Sequence, residues 1–179
     1  GSALASLMAK GSWNEASEEL CAAQYARLCE VLGTAGYNHY EISNFALPGF
    51  EAVHNSAYWK HVPYIGLGPG AHSYITDRDF MRKWNEPDIV RYFDAMASKD
   101  LSLVQDGEIL DEEQIALEKV MLALRTSEGI SESYLMANCQ KAAVEAALAE
   151  GNLVMASDAR IRIPENRFFI SDAVISSLF

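Results

Sequence analysis

Residues 64–73 read Tyr-Ile-Gly-Leu-Gly-Pro-Gly-Ala-His-Ser, with glycine at 66, 68 and 70 and proline at 69. Such a run cannot sit inside a helix or a central strand. Glycine there carries the largest entropy cost, and proline lacks an amide donor. It has to be a tight turn or a ligand-facing loop at the end of a short apolar strand, residues 64–67. Two further motifs precede it, Tyr-Glu-Ile-Ser-Asn-Phe at 40–45 and His-Asn-Ser-Ala-Tyr-Trp at 54–59, and residues 40–73 hold three of the four histidines. These residue types bind ligands, and the flanking segments read as helices that carry and cover them.

The 179 residues suffice for one large or two small domains, and half of them are apolar, enough to bury a core. With 14 basic against 25 acidic residues the net charge is −11. That balance argues against nucleic acid, whose binding needs clustered Lys and Arg to displace counterions, and against an anionic membrane surface. There is no apolar run of roughly eighteen residues to span a bilayer and no opening signal-peptide pattern. Gly1-Ser2 reads as a cloning remnant, which marks an expressed fragment. Cys21, Cys29 and Cys139 are odd in number and widely spaced. They suggest small core residues in a reducing cytoplasm rather than a disulfide framework or a metal site.

Along the chain, Ser12-Trp-Asn-Glu15 predicts a capping box, and Cys21, Tyr25, Leu28 and Leu32 recur at helical spacing up to Gly33 or Gly36. A strand over 37–42 follows. Helix, glycine turn and strand form half of a β/α repeat feeding a parallel sheet. Two strands cannot close a barrel, so they read as the last repeats of something larger. Asn85 is the expected cap of a helix with Pro87 in its first turn and Ile89, Tyr92, Phe93 and Met96 on its buried face. Beyond Gly107 the pattern predicts helices over 111–125, 131–138 and 141–150, strands over 153–155 and 160–163 around a Ser-Asp turn, and a last helix over 165–178. Three helices, a ribbon and a closing helix is a winged-helix layout. The third helix has one Lys, two Glu and many Ala, too few phosphate-contacting residues for DNA recognition. A structural or lid role suits it better.

His54, with Asn55, Tyr58 and Trp59, forms the most specific constellation. An imidazole ligates iron and flat aromatics pack on a porphyrin face. The alternative is an exposed loop histidine beside two core anchors. Gly66, Gly68, Gly70 and Ala71 allow close backbone approach to a nucleotide or sulfonium ligand, or simply make a strand-end turn. His72 follows, to meet a ligand or the loop backbone. Glu41 sits at the end of a presumed parallel strand, where barrel sites collect polar groups, with Asn44 close behind. No complete catalytic constellation is present.

Together, Gly36-Tyr-x-x-Tyr-Glu-Ile-Ser-Asn-Phe45, His54-Asn-x-x-Tyr-Trp59, residues 64–73 and Leu124-Arg-Thr-x-Glu-Gly-Ile130 resemble the oxygen-independent coproporphyrinogen III oxidase-like family of radical SAM proteins. Four motifs in order cover nearly the whole chain. The His-Asn-x-x-Tyr-Trp segment resembles the haem chaperone branch of that family. The resemblance implies an α+β, mostly helical fold: C-terminal β/α repeats of a radical SAM partial TIM barrel over 1–80, a connecting helix over 81–107, and a winged-helix-like domain over 108–179. It implies haem binding at His54, Asn55, Tyr58 and Trp59, with His54 as ligand to the haem iron, and delivery to an acceptor protein at a membrane. It also places Gly66, Gly68, Gly70, Ala71 and His72 near S-adenosylmethionine or porphyrin, and Glu41 and Asn44 at the barrel mouth. The family's C-x-x-x-C-x-x-C loop is absent, so a [4Fe–4S] cluster and S-adenosylmethionine are expected only in a full-length parent, and this portion alone should be inactive. The alternative function is the oxidase itself, which decarboxylates coproporphyrinogen propionates. Cytoplasmic location and, through unpaired strand edges, a homodimer are further expectations.

Overall fold

The computed structural model describes all residues except 1, 78, 99, 101, 103 and 157. Ser157 of the expected Ser-Asp turn and Gly1 therefore lie outside the described residues. The chain opens with α1 (Ala3–Ala9), capped by Ser2, whose Oγ accepts the Ala5 amide at 3.1 Å. Helix α2 (Glu18–Thr34) begins later than the Ser12 motif predicts: Ser17 is its cap, accepting the Leu20 amide at 3.3 Å. The start shifts because Ser17 offers a hydroxyl directly before Glu18 and Glu19, two carboxylates that the positive helix end favours. No residue of α2 is fully buried.

Strand β1 (Asn38–Glu41) forms as predicted, but it does not enter a parallel sheet. It turns at once into β2 (Asn44–Ala46) as an antiparallel hairpin, with Glu41 opposite Asn44 across an irregular step. Every strand pairing among the described residues is antiparallel. A tight turn at Ile42-Ser43 lets the hairpin close locally, whereas a parallel neighbour has to come from a distant crossover. The other edge of β1 meets the loop after α5 (Glu112–Leu124): Ile42 donates its amide to the Arg125 carbonyl at 3.2 Å, and Ser127 donates to Tyr40 at 3.0 Å. The motifs at 40–45 and 124–130 are thus joined.

After α3 (Val53–Trp59), the strand predicted at 64–67 reduces to one bridge, Tyr64 with Tyr74. The second sheet has β3 (His72–Thr76), β4 (Phe80–Asn85) and β5 (Gln105–Ile109) in that order. Helix α4 (Ile89–Ser98) lies between β4 and β5, and Asp88 rather than Asn85 caps it, accepting the Val90 and Arg91 amides at 2.9 and 3.0 Å. Most of its expected buried face is open: Ile89, Phe93 and Met96 are exposed, Tyr92 is half-buried, and Ala95 is the buried residue. Among the described residues no element covers those side chains, so amphipathic spacing here does not report burial.

The C-terminal half follows its sequence pattern closely. Asp111 and Gln114 make a reciprocal capping box on α5. Strand β6 (Ile130–Ser131), α6 (Glu132–Asn138), α7 (Lys141–Ala149), β7 (Val154–Met155) and β8 (Arg160–Arg162) come next, with sheet order β6-β8-β7. The predicted last helix divides into a 3-10 segment, Glu165–Ile170, and α8 (Ser171–Ser176). Val120, Leu124, Leu135, Val144, Ile161, Phe168 and Leu178 form the main core. Each such side chain contributes about 1.5–3 kcal/mol by leaving water. A smaller cluster gathers Tyr74, Leu110 and Ile115 under the β3-β4-β5 sheet. Helix α5 supplies residues to both, and so ties that sheet to the helical core. The architecture is α+β.

Candidate functional site

The four residues of the His-Asn-x-x-Tyr-Trp motif share α3 but not one face. His54 and Tyr58 stand one turn apart, with the Tyr58 hydroxyl 3.0 Å from His54 Nε2 and the rings edge-to-face at 5.0 Å. Tyr58 in turn packs edge-on against Tyr64 at 4.6 Å, which braces it, while the His54 residue stays exposed. At 100° per residue Trp59 points elsewhere, as do Ser56, Ala57 and Lys60. These line a groove of about 1100 Å³ between α3, β1 and the 126–131 turn. Asn55 falls on neither side: it does not line the groove, and it is half-buried.

The groove is bordered by Lys60, Lys119, Arg160 and Arg162 and by Glu51, Glu128 and Glu165. Arg160 Nε donates to the Glu128 carbonyl at 2.9 Å, and Lys60 pairs with the Glu128 carboxylate at 2.9 Å across its rim. Gly129 makes this turn possible: it has φ +64°, and a Cβ there would overlap the Ile161 carbonyl. Trp59 Nε1 and Arg162 Nε are buried without an acceptor, two N–H groups that the fold leaves unspent.

In the glycine segment, Gly68 and Gly70 have φ of +99° and +67°, and a Cβ on Gly66 would overlap the His72 carbonyl. The chain itself uses the loop's polar groups. Gly66 donates to Ser73 Oγ at 3.0 Å and Gly70 to the Glu86 carbonyl at 3.1 Å; Asn85 Nδ2 holds the Gly68 carbonyl at 2.8 Å. Ala71 follows in the same turn, its carbonyl accepting the Asn85 amide at 2.9 Å, and His72 is exposed, tilted against Trp84. Glu41 is 1% exposed, and its Oε1 has no hydrogen-bond partner, whereas its cross-strand neighbour Asn44 is exposed.

Two histidines that the motifs did not single out are the best-held ones. His61, at φ +56°, stacks on Tyr74 at 4.2 Å and reaches Glu118 Oε2 at 3.0 Å. Burial holds its pKa below the ordinary 6.5, against the opposing pull of Glu118. His39 stacks on Phe45 at 4.0 Å, with Nδ1 3.1 Å from Glu165 Oε1 and 3.8 Å from Cys29 Sγ. Burial pushes the Cys29 thiol up, and Glu165 adds to it. Nothing local in the sequence announces Glu118 or Glu165 as partners; each lies far along the chain from its histidine.

The fold is similar to that of coproporphyrinogen III oxidase (HemN) from Escherichia coli, a radical SAM enzyme, with TM-score 0.62 and 15% identity over 86% of this chain and 39% of that one. That defines the class: the chain has the fold of a portion of a radical SAM protein of the coproporphyrinogen oxidase type. No protein-family model matches it. Curated relatives narrow the class. Heme chaperone HemW of Mycobacterium tuberculosis (strain H37Rv) is 32% identical over 99% of this chain and 44% of its own length. HemW of Bacillus subtilis is 37% identical over 70% of this chain and 32% of its own. A Danio rerio protein, radical S-adenosyl methionine domain-containing protein 1, mitochondrial, is 29% identical over 75% and 31%. The chain is a relative of the HemN-like radical SAM proteins, on the HemW branch, and it spans less than half the length of these relatives. The three cysteines are free; Cys21 and Cys29 lie on α2, and Cys139 ends α6. They do not make a [4Fe–4S] ligand set, so no step of radical chemistry is assigned to these residues.

Proposed function

We propose that this chain is the C-terminal portion of a haem-trafficking protein that binds haem as cargo and passes it to an acceptor protein. The similarity to proteins named heme chaperone along 99% of the chain carries this reading. His54 is the proposed axial ligand: it is exposed, and its ring is oriented by Tyr58, as an iron ligand is by a partner on its ring. Tyr58 flanks the porphyrin, with Asn55 and Trp59 as helix neighbours that fix the segment.

The proposed organisation is a barrel portion over 1–80, a connecting helix over 81–107, represented by α4 with β4 and β5 of the β3-β4-β5 sheet crossing both boundaries, and a winged-helix-like domain over 108–179. The order α5, β6, α6, α7, β7, β8 supports the last assignment. In the whole protein Gly66, Gly68, Gly70, Ala71 and His72, with Glu41 and Asn44, would adjoin S-adenosylmethionine or porphyrin at the barrel mouth, and the cluster cysteines would come from elsewhere in that protein. No helix among the described residues is long and apolar enough to cross a membrane; the proposed location is the cytoplasm, with an acceptor at a membrane. Open strand edges support self-association, for which light scattering should give a dimer mass and a monomer mass would count against it.

The full-length protein separates chaperone from oxidase. Stable stoichiometric haem binding without SAM-dependent loss of coproporphyrinogen propionates is expected. Turnover with no haem complex would sink the chaperone reading.

A further inference from the structure

Cys29 on α2 and His39 on β1, ten residues apart, meet Glu165 at the start of the 3-10 helix, 126 residues beyond His39, and their donor atoms all lie within 4.8 Å of one another. The His39 side chain is only 3% exposed. Its Nε2 faces the Ile42 carbonyl at 3.1 Å, an acceptor that also takes the Tyr25 hydroxyl proton at 2.7 Å. The Tyr25 hydroxyl also lies 3.3 Å from Nε2; with its proton on the Ile42 carbonyl, Nε2–H is the tautomer that suits this side, and it leaves the Nδ1 lone pair facing the other way. There it meets Glu165 Oε1 at 3.1 Å, itself an acceptor. A proton on Nδ1 or a metal ion between the two atoms accounts for that spacing. Cys29 Sγ, 3.8 Å from Nδ1 on the same side, is a third donor with no other hydrogen-bond partner among the described residues.

We propose that Cys29, His39 and Glu165 form a zinc-class metal site that staples α2 to the C-terminal core. Bonds of about 2.0–2.1 Å to nitrogen and oxygen and about 2.3 Å to sulfur place tetrahedral donors about 3.3–3.6 Å apart, against 3.1 Å for His39–Glu165, 3.8 Å for His39–Cys29 and a third pair within 4.8 Å. Soft thiolate, imidazole and carboxylate together select zinc over magnesium or calcium. The Nε2–H···O=C contact to Ile42 is the outer bond that metal-binding histidines use to fix their tautomer. Glu165 lines the groove and its side chain is 55% exposed, so the fourth position opens to water. The staple also has a purpose in the fold, because α2 buries no residue completely and is held chiefly by half-buried side chains and the Tyr25 bond to the Ile42 carbonyl.

Co²⁺ titration of the 179-residue chain tests this, with chelator competition for Zn²⁺ affinity. One equivalent should bind with a thiolate-to-cobalt charge-transfer band. Cys29→Ser should abolish the band, Glu165→Gln at the exposed carboxylate should weaken binding at least about tenfold, and Cys139→Ser should change neither. Circular dichroism verifies that each variant folds. Absence of stoichiometric binding would reduce the cluster to a histidine–carboxylate ion pair and overturn the proposal. So would a band that survives Cys29→Ser, or unchanged affinity in Glu165→Gln.

Discussion

His61 Nε2 and Arg82 Nη2 share one oxygen, Glu118 Oε2, at 3.0 and 2.7 Å. This three-way contact joins the loop after α3, strand β4 and helix α5, so it locks the segment that carries His54 onto the helical core. Its pH behaviour follows from burial, which lowers the folded-state pKa of His61 below 6.5. The unfolded chain then binds more protons than the folded one below 6.5. Stability is fully present above that pH and is lost as pH falls through the lower folded value. Denaturant unfolding across this range should show the decline, and His61→Gln should flatten it; an unchanged slope would remove His61 as its source.

Gly66 tests the glycine segment. Any Cβ there overlaps the His72 carbonyl, and the neighbour is backbone, which cannot swing aside. Gly66→Ala should cost about 2–4 kcal/mol, in the range of overpacked backbone sites. Gly33→Ala is the control, since a Cβ there meets nothing within 4 Å. It should be neutral or slightly stabilising by helix propensity. Equal effects of the two substitutions would mean that the turn is looser than its contacts imply.

Glu41 buries a carboxylate oxygen without a partner, which is costly in an isolated chain. Glu41→Gln removes the charge at nearly constant shape. The expected result is higher stability by about 1–3 kcal/mol in this chain. A loss of stability would reveal a compensating partner for the carboxylate.

The C-terminal half was legible because its signals are local. Asp111 with Gln114 caps α5, Ser131 caps α6, and Gly151 at φ +71° stops α7, each within a turn of the element it bounds. The misses depend on what lies across space. The spacing of Ile89, Phe93 and Met96 is helical, but whether that face is covered is a property of other elements. The partner of β1 was equally hidden, since a strand's own residues do not say whether its neighbour runs parallel. For the site, His54 and Tyr58 of the motif lie one turn apart on α3 and touch. The motif could not foresee that Trp59, one position on, turns toward a different surface, or that His39, near Cys29, would meet Glu165 across 126 residues of chain.

The most direct test is a haemin titration of this chain, followed at the Soret band, beside His54→Ala. Because His54 is exposed on α3, the variant should fold unchanged. The account predicts a saturable, stoichiometric shift in the wild-type chain that disappears in His54→Ala. A shift of equal size and affinity in the variant, or none in the wild type, would contradict His54 as the residue that holds the iron.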